Sequence, residues 1–317
     1  DVEHRELLRR LGAVSLLVVP LPGRDRLLGS MTLLNGVTSP AFTEPDVAVA
    51  GEVGRRAGVA LETMGLYAEQ RDLAEGLQRS LLSEPVEPRN GEIVVRYVAA
   101  AQEAQVGGDW YDAFVQPDGS TVLVIGDVVG HDTRAAAAMG QLRGLLRGIG
   151  YASEAGPAEM LCRLDAATDG LRISTTATAV VAVVAADAGE LGPGGSPVRW
   201  SNAGHPPPLL LAPGLPPRLL DGHATNLLLG VVADAQRDEH EVDLTEGAVL
   251  LLYTDGLVER RGQDLDDGLD ELLSVVGQLR DLPLAELCDE LLRRLVPEGH
   301  DDDVALAGIR LHRPARA

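Results

Sequence analysis

Four aspartates stand where an apolar segment meets a glycine or a further acid, and they are the residues from which chemistry can be argued. In Thr121-Val122-Leu123-Val124-Ile125-Gly126-Asp127-Val128-Val129-Gly130-His131-Asp132, residues 122–125 read as a strand buried on both faces that delivers Asp127 to its end. An ionised carboxylate beside a core requires a cation or several donors. The sequence contains no lysine, and this stretch offers no arginine before Arg134, so a bound metal becomes the candidate partner. The grammar recurs. Val106-Gly107-Gly108-Asp109-Trp110-Tyr111-Asp112 sets an aspartate after a glycine pair, residues 248–253 run into Thr254-Asp255-Gly256-Leu257, and His300-Asp301-Asp302-Asp303 leads into residues 304–309. Any one of these is equally a capped turn. All four together are what a hard-cation site assembled from distant segments looks like.

Absences narrow the chemistry. Without lysine there is no P-loop and no protein-kinase phosphate lysine. A haloacid-dehalogenase type of phosphatase is disfavoured, because Asp127-Val128-Val129 and Asp255-Gly256-Leu257 both lack the second carboxylate it needs. No Gly-x-Ser-x-Gly elbow stands out. With 27 basic against 48 acidic residues the net charge is −21, which argues against nucleic acid or an anionic membrane as partner. No apolar run approaches membrane-spanning length and no signal peptide is visible, so a soluble cytoplasmic protein is expected. Cys162 and Cys288 make neither a disulfide framework nor a zinc knuckle; Cys288 shares a helical face with Leu284, Leu287, Leu291 and Leu295 and reads as core.

The chain opens on Asp1 rather than Met, as a fragment would. Residues 15–20 and 27–34 read as a hairpin about the turn Pro22-Gly23-Arg24-Asp25, and Thr43 as the N-cap of a long helix running toward residue 82. Strand, turn, strand, then Phe42-Thr43-Glu44-Pro45-Asp46 and an Ala-rich helix resembles the C-terminal half of a GAF domain. That resemblance implies a partial sensor segment over residues 1–64, followed by a connecting helix and linker over 65–90. Leu66, Leu73 and Leu77 fit a short helical seam, through which a homodimer is conceivable; a helix lying on its own domain has equal standing. Beyond Glu84-Pro85-Val86-Glu87-Pro88 the third region, 91–313, begins. It reads as strands over 93–101, 110–115 and 122–125, an amphipathic helix carrying Ala135, Met139, Leu142, Leu146 and Ile149, and a second helix starting at Pro157. Strands over 176–186, 198–201, 209–211 and 248–253 follow, then two helices near 267–279 and 283–295 and a last strand. Strands in runs with helices in pairs predict an α+β fold with mostly antiparallel sheets, against a doubly wound parallel sheet.

Five of these segments carry a resemblance. Val106-Gly107-Gly108-Asp109-Trp110-Tyr111-Asp112, Gly126-Asp127-Val128-Val129-Gly130-His131, Asn202-Ala203-Gly204-His205-Pro206, Tyr253-Thr254-Asp255-Gly256-Leu257-Val258-Glu259 and Asp302-Asp303-Val304-Ala305-Leu306 occur in the order found in the SpoIIE/RsbU-like branch of PP2C-like (PPM) metal-dependent serine/threonine phosphatases. The resemblance spans residues 93–311. It implies an α/β/β/α sandwich of two antiparallel sheets flanked by helices. It also implies that Asp109 is the first metal-binding aspartate, Asp127 the carboxylate bridging two metals, Val128 a ligand through its backbone carbonyl, Asp255 the aspartate of the Asp-Gly motif and Asp302 the last. The implied cofactors are two Mn²⁺ or Mg²⁺ ions, which activate a water and clamp the phosphoryl oxygens for in-line attack. Gly108, Gly126 and Gly256 are expected to let the backbone crowd the ions.

One position departs from the pattern. Eukaryotic-type relatives carry a candidate acid, a histidine, two residues after the bridging aspartate; Val129 stands there, and His131 is displaced by two. His131 is equally read as a turn or helix-start residue. His205 is expected to hold a turn near the site, and His300 to face solvent. By resemblance, the substrate is a phosphorylated STAS-type anti-sigma-factor antagonist in bacterial partner switching, under control of the amino-terminal segment. The competing readings are a catalytically degenerate phosphatase fold serving as a scaffold or regulated binding module, and a small-molecule sensor whose output is the connecting helix. Retention of all four motif aspartates speaks against the scaffold.

Overall fold

Strand β5 (Thr121–Val128) is the most deeply buried element that carries a candidate ligand. The computed structural model describes residues 10, 12–81, 85, 86, 88, 91–100, 107–130, 132–186, 195–220, 227–260, 262–297, 300 and 302–312. Side chains alternate along β5, so successive residues serve two different cores. Val122, Val124 and Val128 pack with Met139, Leu142 and Leu146 of α2 (Thr133–Ser153) and with Met160, Leu161 and Leu164 of α3 (Pro157–Gly170). Leu123 and Ile125 pack the other way, against Leu250, Leu252, Ala305 and Ala307 of a second sheet.

The first sheet has the order β10-β7-β6-β5-β4, with β4 Asp109–Val115, β6 Ala177–Val184, β7 Ser196–Ala203 and β10 His240–Leu244. The second has the order β3-β12-β11-β8-β9, with β3 Gly91–Val98, β8 Leu209–Leu211, β9 Arg218–Leu219, β11 Val249–Tyr253 and β12 Val304–Leu311. Every ladder in both sheets is antiparallel. The outer face of the second sheet is covered by α4 (Leu265–Gln278) and α5 (Leu284–Leu295), where Leu272, Val276, Leu287, Cys288 and Leu291 meet Val249, Leu251 and Leu306. Burial pushes the Cys288 thiol up to about 12, as suits a packing residue. The layers are therefore helix, sheet, sheet, helix, the expected α+β sandwich, and the parallel alternative is excluded.

Compact packing divides the chain into Asp1–Leu73 and Ala74–Ala317. In the first unit, β1 (Ala13–Pro22) and β2 (Leu27–Gly36) form a hairpin. Helix α1 (Glu44–Leu81) meets β1 through small residues: a Cβ on Gly58 would lie 2.1 Å from the Pro22 carbonyl oxygen, and one on Gly54 2.5 Å from Val19 Cγ1. Helix and strand backbones approach this closely only because those positions lack a side chain. At the start of α1, Thr43 Oγ1 donates to Asp46 Oδ2 at 2.6 Å and Thr43 N donates to the same oxygen at 2.7 Å.

Candidate metal centre

Register brings the first two carboxylates together. Asp109 opens β4, Asp127 is the penultimate residue of β5, and the ladder sets their Cα atoms directly opposite each other. The hairpin turn fixes that register: Gln116 N donates to Ser120 O at 2.8 Å and Asp118 Oδ1 accepts from Ser120 N at 2.7 Å. Like charges in facing positions are destabilising unless something neutralises them. Alternation along β5 turns Asp127 the same way as Leu123 and Ile125, toward the second sheet. From that sheet β11 ends at Tyr253, and the single-turn 3₁₀ helix Asp255–Leu257 presents Asp255. A carboxylate oxygen from each of Asp109, Asp127 and Asp255 lies within 4.8 Å of the other two.

Asp302 stands outside this group of three. It is exposed, and its Oδ1 accepts a hydrogen bond from Asp303 N at 2.8 Å. Its charge still reaches the centre, raising the pKa of both Asp127 and Asp255. His131 lies outside the described residues.

The electrostatics are those of crowded, partly desolvated carboxylates. Burial, then the charge of Asp127, holds Asp109 well above the ordinary carboxylate range. Burial, then Asp255 and Asp302, raises Asp127 to about 7, and burial followed by Asp302 raises Asp255. The strongest neighbours of all three are other acids, relieved by hydrogen bonds such as that of Thr254 to Asp109. Asp109 Oδ2 is buried with no hydrogen-bond partner. An orphaned buried oxygen beside two further carboxylates is the donor set of a hard divalent cation, so these residues fit the metal that the strand-end pattern called for.

The Val128 side chain is spent in the helix-side core, which leaves its backbone to face the centre. A Cβ on Gly108 would sit 2.2 Å from Val128 O and 2.6 Å from Asp127 Oδ1, so both oxygens point at the place Gly108 leaves open. Gly108→Ala is expected to lose about 1–3 kcal/mol of stability through overpacking and to weaken Mn²⁺ binding in the same protein, measured by urea unfolding and Mn²⁺ titration. Gly126 serves a different end. Its missing Cβ makes room for the Trp110 ring, whose Cη2 would be 2.3 Å away, and so belongs to packing rather than to the crowding of ions. At Gly256 the close neighbour is the Asp303 carbonyl oxygen at 2.1 Å, so there the space admits the β12 backbone rather than an ion.

Several residues at the centre were not singled out by their pattern. Thr254 is fully buried; its hydroxyl accepts from Ala305 N at 2.8 Å and hydrogen-bonds Asp109, tying β12 to β4. Asp303 is buried and accepts from Ala100 N at 2.8 Å, and a Cβ on Gly107 would overlap its Oδ2. It anchors the segment between β3 and β4 to the start of β12. Thr254, a β-branched hydroxyl adjoining the Asp-Gly pair, was the one with a visible signal. His300 is half-buried with Nε2 3.0 Å from Ala99 O, not turned to solvent. His205 sits in the turn where it was expected, but the Asn202 amide and main chain close that turn, and the imidazole bonds elsewhere.

Comparison with known proteins gives the family and the fold. Residues 117–312 match the family model for stage II sporulation protein E (SpoIIE), and residues 1–61 match the GAF domain. The chain belongs to the SpoIIE family, whose matched span covers more than half of it and begins after Asp109. The structure of the RsbU and RsbW domains of Rv1364c from Mycobacterium tuberculosis is similar at 32% identity and a TM-score of 0.64, over 73% of this chain and 64% of that one. The chain thus spans less than two thirds of that relative. The SiaA-PP2C domain of Pseudomonas aeruginosa aligns at 19% identity and a TM-score of 0.59, covering 80% of this chain and 98% of that one. The PP2C phosphatase domain with a fragment of the regulatory domain of SpoIIE from Bacillus subtilis aligns at 16% and 0.55, covering 71% and 65%. These last two share the fold.

Proposed function

We propose that the chain is a metal-dependent phosphoserine/phosphothreonine protein phosphatase. The observation that carries this reading is the convergence of Asp109, which is buried, and of the half-buried Asp127 and Asp255 from two sheets, with a carboxylate oxygen of each within 4.8 Å of the others. Two Mn²⁺ or Mg²⁺ ions are the proposed cofactors, held by Asp109, Asp127, Asp255 and Asp302 and by the Val128 carbonyl. When bound, such ions supply an activated water and neutralise charge on the phosphoryl group. The protein's own part is placement. Asp127 faces Asp109 in the β4–β5 ladder and approaches Asp255 of the other sheet, so the register of that ladder would set the spacing of the residues that hold the ions.

The proposed substrate is a phosphorylated STAS-domain protein in partner switching. That reading is supported by family membership and by similarity to a protein described by its RsbU and RsbW domains. The proposed division is a sensor segment over 1–64, a connecting helix and linker over 65–90 and the phosphatase over 91–313, with the connecting helix as a possible dimer contact. Among the described residues no helix is long and apolar enough to cross a membrane.

The test is hydrolysis of p-nitrophenyl phosphate and of a phosphorylated STAS protein with and without Mn²⁺. Hydrolysis that requires Mn²⁺ and is lost on chelation is expected. No metal-stimulated hydrolysis of either compound would leave the degenerate scaffold as the better reading.

A further inference from the structure

The turn that carries His205 does not need its imidazole. Asn202 Nδ2 donates to His205 O at 2.7 Å, His205 N donates to Asn202 Oδ1 at 2.7 Å, and Gly204 supplies the left-handed backbone at φ 72°. The loop is closed by the Asn202 amide and by main chain alone. The imidazole is nonetheless buried, and both its nitrogens are used. Nδ1 lies 2.7 Å from Thr178 Oγ1 on β6, in the first sheet, and Nε2 lies 3.0 Å from the Tyr253 carbonyl oxygen at the end of β11, in the second.

The partners assign the tautomer. A carbonyl only accepts, so Nε2 carries the hydrogen and Nδ1 accepts from the Thr178 hydroxyl. Burial favours the same neutral state, lowering the pKa of His205 to about 3. The two anchor points are also informative. Thr178 is the residue set directly opposite Asp127 in the β5–β6 ladder, and Tyr253 stands two residues before Asp255. One side chain therefore spans the gap between the strand ends that present two carboxylates of the candidate centre.

We propose that His205 is a positioning residue for metal binding: its neutral imidazole ties Thr178 to the Tyr253 carbonyl and so fixes the separation of Asp127 and Asp255. The inference rests on the reading of Asp109, Asp127 and Asp255 as metal ligands. It extends that reading from the ligands to a part that neither touches the cation nor closes its own loop. Partners that orient ligands from behind typically change metal affinity by about 10–100-fold when removed.

The experiment is Mn²⁺ titration followed by the electron paramagnetic resonance of free Mn²⁺, on the wild type, Asp127→Asn, His205→Ala, His205→Gln and Thr178→Val, with urea unfolding in chelator for each. His205→Ala is expected to bind Mn²⁺ about 10–100-fold more weakly. His205→Gln, whose amide offers a donor and an acceptor, is expected to recover part of the loss. Thr178→Val removes only the hydroxyl and carries the test if His205→Ala does not fold; being a step further from the ligands, it is expected to weaken binding by up to about 10-fold, the lower bound for direct partners. A purely structural role would lower stability in chelator and leave affinity at the wild-type value in every variant that folds, and that result overturns the proposal. If the wild type and Asp127→Asn bind Mn²⁺ equally, the ligand assignment itself has failed, a different outcome in the same titration.

Discussion

Asp127→Asn is expected to lose at least about 10³-fold in metal-dependent hydrolysis, corresponding to several kcal/mol of charge stabilisation, and at the same time to make the metal-free protein more stable at pH 8. The second half follows from electrostatics. A carboxyl held at about 7 in the folded chain, against 3.8 for an unperturbed one, keeps a proton that the unfolded chain has released over that interval. The folded state binds more protons there, so stability falls as pH rises from about 4 and the loss is complete above about 7. Burial of the Asp127 charge, with repulsion from Asp255 and Asp302 added, then costs on the order of 2–4 kcal/mol at pH 8, and asparagine, which carries no charge, removes that cost while keeping the side chain's shape. Urea unfolding in chelator should show the variant ahead at pH 8, with the gap narrowing toward pH 4. Adding Mn²⁺ should reverse the order: saturation to a thousand times Kd stabilises the wild type by about 4.1 kcal/mol and the variant by far less. A variant less stable than wild type in chelator at pH 8, yet equally stabilised by Mn²⁺, would show that Asp127 is no ligand and that its neighbours do not repel it.

The fold was legible where one physical signal dominated. Residues 122–125 are continuously apolar because β5 lies between two cores, and the helices past Asp132 show one apolar face because only one face meets β5. Boundaries moved where polar residues continue a strand: β5 runs through Asp127 to Val128, three residues beyond its apolar run, because the ladders to β4 and β6 extend to the carboxylate. Strands β9 and β10 were missed for a related reason. His240-Glu241-Val242-Asp243-Leu244 pairs with β7 and turns only Val242 and Leu244 into the inter-sheet core, an apolar alternation too short to stand out beside its charged residues. Two residues of β9, Arg218 and Leu219, carry no periodicity at all.

At the centre, the sequence names ligands more readily than what holds them. An aspartate at a strand end beside a glycine is conspicuous because it is costly there. Thr178 is not, since a threonine in a strand is ordinary until its partner on another segment is known, and Thr254 is marked only by its place beside the Asp-Gly pair. Gly126 shows the converse: it shares the glycine pattern with Gly108, yet its neighbour is the Trp110 ring and not Asp127. Which glycine serves the site and which serves packing is decided by the face of the strand on which a Cβ would fall, a tertiary fact.

Arg237→Met is expected to destabilise the protein by about 3–5 kcal/mol, the typical effect of leaving one partner of a buried ion pair alone. Both side chains are essentially inaccessible. Arg237 Nη2 lies 2.6 Å and Nε 3.0 Å from Asp165 Oδ2 on α3, while Nη1 donates to Leu227 O at 2.7 Å. The other carboxylate oxygen accepts from Gly230 N at 2.9 Å, so the pair also holds the segment around Leu229, which exchanges backbone hydrogen bonds with Ala177 at 2.8 and 3.2 Å. Ala177 is paired with Val128, and the pair thereby supports the strand end that carries Asp127. Replacing both partners, Asp165→Leu with Arg237→Met, should recover only part of the loss. It removes the stranded charge but leaves Gly230 N without its acceptor, at about 1–3 kcal/mol. A double-mutant cycle by urea unfolding at pH 7 reads the coupling directly; equal and additive single losses of under about 1 kcal/mol would place the pair among exposed salt bridges, and the strand end would then be held by its ladder alone.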